Sequence, residues 1–231
     1  LTAVGLGRAL LQAHEADLVL AGGYDPISEY ACAGFASLRL VAEGPQRPFC
    51  RDREGLKLAD GYAVLAMERL DDALERGAEV LAVIAGVGET SDARHLTQPH
   101  PEGLGAARAA RTALEEAGLR PADIGLICAH ATGTPANDSA EAAALTLAIG
   151  DALPRVPVIA CKSHLGHTLG AAGAVELAMT IEAMRRGLAP PLADVARADI
   201  EFSGLDVVTG SARPAKIEAA LSMSIGFGGS N

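Results

Sequence analysis

Tryptophan is absent from this chain of 231 residues, and four phenylalanines and three tyrosines are its only large aromatic side chains. Packing therefore falls to Ala, Leu, Val and Gly, which suits helices lying close against sheets. Cations are scarce too. Nineteen Lys and Arg face 29 Asp and Glu, for a formal charge of −10. That balance excludes a general binder of nucleic acid or membrane surfaces, which needs clustered positive charge, although it allows a local basic patch. The four cysteines, Cys32, Cys50, Cys128 and Cys161, form no C-x-x-C pair. Scattered thiols fit a reduced, cytoplasmic protein better than a disulfide framework. No apolar run approaches the roughly 18 residues of a membrane span, and no basic segment leads into an apolar one at the start. An initiating Met is also lacking, and Leu1 stands inside an apolar pattern, as expected of a cut or processed end.

With 49% hydrophobic residues, the chain can bury a real core in one large domain or two small ones. Leu1, Val4, Leu10 and Leu11 follow roughly helical spacing towards His14, and ADLVLAGG reads as a buried strand. Residues 24–58 read as irregular, with RPFCRDREG as an exposed loop of mixed charge. A strand is predicted at Tyr62–Met67, a short helix at Asp71–Arg76, a strand at Val80–Val87 and a loop over 95–103. Leu104–Ala117 is an amphipathic helix closed by Gly118 and Pro121. Ile124–Ala129 is a strand, and Asp138 with Glu141 reads as a capping pair opening a helix that runs to Ile149. Val156–Ala160 is a strand, and a helix follows His167 as far as Arg186. Strands at Leu205–Val208 and Ala219–Ile225 finish the pattern. Apolar strands alternating with helices predict an α/β fold whose sheets are covered on both faces. The helix–strand–strand order of the start recurs at the end, a coarse hint of internal duplication.

The segment CKSHLGH, Cys161 to His167, concentrates the chemistry. Zinc accepts ligands such as Cys161, His164 and His167. However, no fourth ligand stands at familiar spacing, Lys162 competes as a cation, and Gly166 favours a turn, so no metal site is expected. Position favours catalysis instead, because functional groups in α/β sheets gather where strands end at their carboxyl edge. His130 follows one predicted strand and Lys162–His167 follows another, so the two histidines can converge. Neutral imidazoles there would donate to a carbonyl oxygen and stabilise a developing oxyanion; the plainer alternative at either position is an ordinary hydrogen-bonded polar residue. Thr132 and Thr134, ahead of Pro135, form either a ledge for the amides of an extended ligand or a Thr-rich turn.

AHATGTPANDSAE, CKSHLGHTLGAAGAVE and the terminal GFGGSN resemble three successive motifs of the β-ketoacyl-[acyl carrier protein] synthases, the ketosynthases of the thiolase-like superfamily. ADLVLAGG and RPFCRDREGLKLADGYAVLAMERL resemble segments that precede those motifs. The resemblance is to the elongating type and runs in order through essentially the whole chain. It implies a five-layered αβαβα fold in which two similar halves pack back to back. Residues 1–77 would be the tail of the N-terminal half and residues 78–231 most of the C-terminal half. The strands and helices of that fold that this chain lacks would leave apolar faces open.

The resemblance also implies roles. His130 and His167 match the two histidines that support decarboxylation of a malonyl thioester and stabilise the enolate. Lys162 matches the lysine of K-x-x-x-G-H, and Glu176 a carboxylate of the same network. Thr132 and Thr134 match the threonines that hold the phosphopantetheine arm. Phe227 matches the gate of the acyl pocket, with Gly228 in its mobile, oxyanion-binding loop. No cofactor of its own is implied, since the phosphopantetheine arrives on the carrier protein. The nucleophilic cysteine, in a motif like T-A-C-S-S-G, is expected a few residues before Leu1 and is not in this sequence. Cys32, in YACAGF, mimics it but falls after the LAGG strand; Cys128 and Cys161 read as structural, and His164 with Cys161 as scaffolding. Cys50 and Leu56 stand where relatives often have Asp and Phe.

The activity implied for the full protein is decarboxylative Claisen condensation of an acyl thioester with malonyl-[acyl carrier protein], in fatty acid or polyketide biosynthesis. The alternative is a noncatalytic partner like a chain-length factor, against which the joint retention of His130, Lys162 and His167 weighs. A thioester-binding module without chemistry is a third reading. Acyl carrier protein is the implied partner, together with a homodimer or a ketosynthase heterodimer; neither nucleic acid nor membrane is. Arg108, Arg111, Arg185 and Arg186 are candidate carrier contacts or simply solvated helix faces.

Overall fold

A computed structural model describes all 231 residues. The first part of the chain holds α1 (Thr2–Gln12), β1 (Val19–Asp25), α2 (Glu29–Ser37), β2 (Gly61–Met67) and α3 (Leu70–Glu75). The second holds α4 (Leu104–Ala117), β3 (Leu126–Cys128), α5 (Pro135–Ile149), β4 (Pro157–Ile159), α6 (Lys162–Leu165) and α7 (Ala172–Arg186). Four short strands follow: β5 (Leu188–Ala189), β6 (Asp206–Val207), β7 (Arg213–Pro214) and β8 (Ala220–Ser222). Strands β1 and β2 pair antiparallel, from Val19 opposite Met67 to Asp25 opposite Gly61. The second sheet is parallel throughout, in the order β6-β4-β3-β8.

Helix α7 lies between the two sheets, packed on β1 and β2 on one side and on β3 and β8 on the other. The two-residue period of a strand divides the core accordingly. Ile127, Ala129, Val158 and Ala160 join Leu114, Leu145 and Ile149 of α4 and α5 in the larger core. Leu126, Cys128 and Ile159 point the other way, towards Ala183 of α7. Small residues set the layer spacing. A Cβ on Gly23 would lie 2.2 Å from the carbonyl oxygen of Gly170, so only glycine lets β1 come this close to the turn before α7.

Four expectations need correction. Residues 24–58 are not wholly irregular, because Ser28 caps α2 by accepting from the Ala31 N–H at 3.1 Å. RPFCRDREG is charged yet not simply exposed: Phe49 and Cys50 are fully buried, and Glu201 N donates to Phe49 O while Arg51 N donates to Asp199 O. Val80–Val87 forms no strand. Arg8 donates to the carbonyls of Ile84 and Ala85, and Glu116 accepts from Val87 N, so side chains hold an extended segment that has no ladder. Gly86 and Gly88 press that segment onto the backbone of α4. Finally, the terminal helix–strand–strand outline does not repeat the first as a paired unit, since β6 and β8 occupy opposite edges of a parallel sheet.

The far face of β1 and β2 is bare. Leu20 is 70% exposed, Tyr24 75%, Tyr62 80% and Val64 63%. Such an open apolar face is what the resemblance implies. No helix of the chain is long and apolar enough to cross a membrane.

Candidate active site

Strand β3 ends at Cys128, and the chain then turns through His130, Ala131, Thr132 and Gly133 before Pro135 starts α5. Parallel β4 delivers Cys161 and the single turn α6, which Gly166 stops at φ +80°. His167 follows. Its N–H donates to Lys57 O at 2.6 Å, and its carbonyl accepts from Ala59 N at 3.1 Å, so the segment before β2 holds it on both sides. The two strand ends bring the imidazoles of His130 and His167 together, ring centroids 5.3 Å apart and edge to face at 83°.

Lys162 is buried beneath them. Its ammonium donates to His130 O at 2.6 Å, approaches His130 Nδ1 at 3.2 Å and pairs with Glu176 of α7. An ammonium has only protons to offer, so His130 Nδ1 is the acceptor and its proton sits on Nε2. The same holds for His167, whose Nδ1 accepts from Leu169 N at 3.1 Å. Burial, then the Lys162 charge, drives the His130 pKa well below the usual imidazole value. The same causes take His167 to about 3. Burial raises the Glu176 carboxyl, although Lys162 opposes the rise. The result is two neutral imidazoles, each with an Nε2–H donor.

The loop carrying His130 is pinned by Asp138 and Glu141, two carboxylates whose sequence spacing suggests a helix cap. Thr134 is the N-cap of α5, and Asp138 and Glu141 lie inside the helix, fully buried. Helical side chains lean towards the N-terminus, so both reach back to the loop ahead. Glu141 accepts from His130 N at 2.6 Å and Ala131 N at 2.7 Å. Asp138 accepts from Phe49 N at 2.8 Å and Gly133 N at 3.1 Å. Burial pushes Glu141 up to about 7 and raises Asp138, while the backbone bonds to both lower it. Ala131 and Leu169, one and two residues past the histidines, hold φ of +42° and +45°. Non-glycine residues tolerate that region only when their surroundings enforce it. The missed signal was two acids three residues apart in an alanine-rich helix.

Thr132 and Thr134 are buried with hydroxyl oxygens 2.9 Å apart. They share with both histidines an open cavity of about 1150 Å³, with Phe227 also in its wall. Phe227 is half exposed and stacks on Phe35 of α2, centroids 5.6 Å apart. Gly228, at φ +79°, donates its N–H to Leu96 O at 2.7 Å. None of the four cysteines lines the cavity. Cys161 Sγ lies 3.8 Å from Cys128 Sγ, whereas His164 Nε2 bonds Pro191 O at 2.7 Å. Cys161, His164 and His167 thus turn to three different neighbours, and no cluster of three or more His, Cys, Asp or Glu is arranged for a metal ion. Arg108 and Arg111 donate to carbonyls, and Arg185 and Arg186 pair with Glu79 and Glu182.

An antiparallel pair of strands and a parallel four-stranded sheet enclose a helix layer, and two donor imidazoles face each other at ends of the parallel strands. Comparison with known proteins places this arrangement in a family. Residues 1–73 match the family described as "Beta-ketoacyl synthase, N-terminal domain", and residues 81–196 "Beta-ketoacyl synthase, C-terminal domain". A 3-oxoacyl-[acyl-carrier-protein] synthase 2 of Synechocystis is 38% identical, over 99% of this chain and 56% of its own length. A β-ketoacyl synthase from Burkholderia phymatum superposes with TM-score 0.94 at 36% identity, over 100% of this chain and 57% of that one. A ketosynthase structure described as a type II PKS acyl-carrier protein in complex with its ketosynthase gives TM-score 0.93 at 28% identity, over 99% and 58%. The chain belongs to the β-ketoacyl synthase family, with the thiolase-like fold. It spans about half the length of the relatives it matches.

Proposed function

We propose that this chain carries the decarboxylation and enolate-binding half of an elongating ketosynthase. The full protein would join an acyl group to malonyl-[acyl carrier protein] by decarboxylative Claisen condensation. The observation that carries this is the pair of facing imidazoles, His130 buried and His167 half-buried, whose Nδ1 atoms both accept hydrogen bonds. Their Nε2–H groups are donors fixed in advance of the reaction, which is where electrostatic stabilisation is most effective. In the reaction, the bond between the malonyl α-carbon and its carboxylate breaks, CO2 leaves, and the electron pair moves onto the thioester oxygen. Both imidazoles would receive that oxygen. The α-carbon then attacks the acyl thioester, and the nucleophile's sulfur leaves as thiolate.

Each remaining group has a place in this scheme. Lys162 and Glu176 hold His130 in its tautomer, and Lys162 disfavours imidazolium formation. Thr132 and Thr134 hold the phosphopantetheine arm, the one cofactor group required, brought by the carrier. Phe227 and Gly228 form the gate and oxyanion loop. The acyl-bearing cysteine belongs to the full protein, ahead of Leu1, because no cysteine of this chain lines the cavity. We place the boundary between halves at residues 77 and 78, and the enzyme in the cytoplasm as a homodimer or ketosynthase heterodimer. A noncatalytic partner subunit would have no use for a buried Lys162–Glu176 pair aimed at a histidine. The test is full-length protein given an acyl thioester and carboxyl-labelled malonyl carrier. Release of label with formation of a 3-oxoacyl product is expected; release of neither would sink the assignment.

A further inference from the structure

Gln46 lies in the loop between α2 and β2, far in sequence from the histidines and threonines of the site, and is 4% exposed. Its side-chain amide is used at both ends. Nε2 donates to Thr132 O at 2.7 Å, and Oε1 accepts from Lys57 N at 3.2 Å. The amide orientation follows from the partners, since a carbonyl requires a donor and an N–H an acceptor.

Both contacts fall on peptides that set the site. The peptide joining Thr132 to Gly133 is gripped at both edges, its carbonyl by Gln46 and its N–H by Asp138 at 3.1 Å. Gly133, at φ +77°, has no room for a Cβ, which would sit 2.7 Å from Gly55 O and 3.3 Å from Gln46 Cγ. On the other arm, Lys57 gives its N–H to Gln46 and its carbonyl to His167 N at 2.6 Å. One buried amide therefore joins the threonine ledge to the segment that carries the second histidine. Glu141 touches the first loop only, and Asp138 adds Phe49 N to it, so neither reaches the segment that holds His167.

We infer that Gln46 is a positioning residue that sets the threonine ledge and the His167 loop in register across the cavity. The inference rests on the ketosynthase reading for its functional consequence, while the geometry stands apart from it. Losing the Thr132 arm loosens the grip on the carrier's arm and raises KM. Losing the Lys57 arm lets His167 drift from His130 and lowers kcat.

Two variants of the full-length protein separate the arms. Gln46→Met keeps length and apolar packing and removes both bonds. Gln46→Glu keeps the acceptor for Lys57 N and, as carboxylate, cannot donate to Thr132 O. Amide exchange by mass spectrometry is expected to quicken about tenfold in peptides covering 130–134 and 166–168 in Gln46→Met. In Gln46→Glu it should quicken over 130–134 alone. With malonyl carrier, Gln46→Met should raise KM and lower kcat, each by on the order of tenfold, and Gln46→Glu should mainly raise KM. If Gln46→Met does not fold, Gln46→Glu against wild type decides. Wild-type exchange and kinetics in the variants, or equal effects of both on both loops, would overturn the inference. Wild-type protein that does not turn over malonyl carrier would overturn only the function reading, and the exchange pattern would still decide the role of Gln46.

Discussion

Single residues in this site act through what they keep uncharged or paired. Removing Lys162 leaves the Glu176 carboxylate buried with no cation, and breaking one side of a buried pair typically costs about 3–5 kcal/mol. Lys162→Met in the full-length protein should lose stability on that scale by chemical denaturation. Adding Glu176→Leu should recover part of the loss, and additivity of the two would argue against a coupled pair. Glu141 gives a pH-dependent test. Its folded value of about 7 lies above the ordinary 4.5. Its contribution to stability is thus complete below about pH 4.5 and fades as pH rises through 7. Glu141→Gln leaves one of the two backbone N–H groups unpaired, a cost of about 1–3 kcal/mol, and that difference from wild type should shrink between about pH 5 and pH 8. His130 and His167 have the opposite sign. Their folded values lie below 6.5, so stability falls on acidification as the unfolded chain takes up protons first.

At the level of elements, the sequence was legible wherever apolar runs were bounded by glycine or proline. The helices at Thr2, Leu104 and Ala172 and the strands at Gly61 and Leu126 lie within a few residues of where periodicity put them. Two elements misled for physical reasons. Val80–Val87 has strand composition, but whether it pairs depends on a neighbour, and here Arg8 and Glu116 supply the contacts instead. The charged RPFCRDREG segment hides Phe49 and Cys50 beneath Arg53, whose guanidinium pairs with Glu201, donates to Ser139 and stacks on Phe202, leaving Nε alone without a hydrogen-bond partner. The histidines and Lys162 were legible from their motifs. The acids that pin His130 looked like a cap, and Gln46 carried no local pattern at all, since its partners lie 86 and 11 residues away. Gly133→Ala tests the loop between β3 and α5. A side chain at φ +77° against Gly55 O should cost at least the roughly 1–2 kcal/mol of left-handed backbone. It should also weaken use of carrier-bound substrate; a variant with wild-type melting and KM would show that the loop is looser than its hydrogen bonds imply.

For the molecule as a whole, Leu20, Tyr24, Tyr62 and Val64 leave an apolar sheet face open on the side of β1 and β2 away from α7. The 231-residue chain by itself should bind a hydrophobic dye and run as assemblies larger than a dimer in size-exclusion chromatography, whereas full-length protein should bind no dye and run no larger than a dimer. Dye binding equal in the two would mean the face stays open in the complete enzyme. The central claim is that two neutral imidazoles, fixed as Nε2–H donors, drive loss of CO2 from a malonyl thioester. The most direct measurement is the rate of malonyl-carrier decarboxylation by full-length protein, wild type against His130→Ala and His167→Ala, with folding checked by thermal melts. Each variant is expected to lose on the order of a hundredfold or more while still melting cooperatively. Folded variants that release CO2 at the wild-type rate would contradict the account.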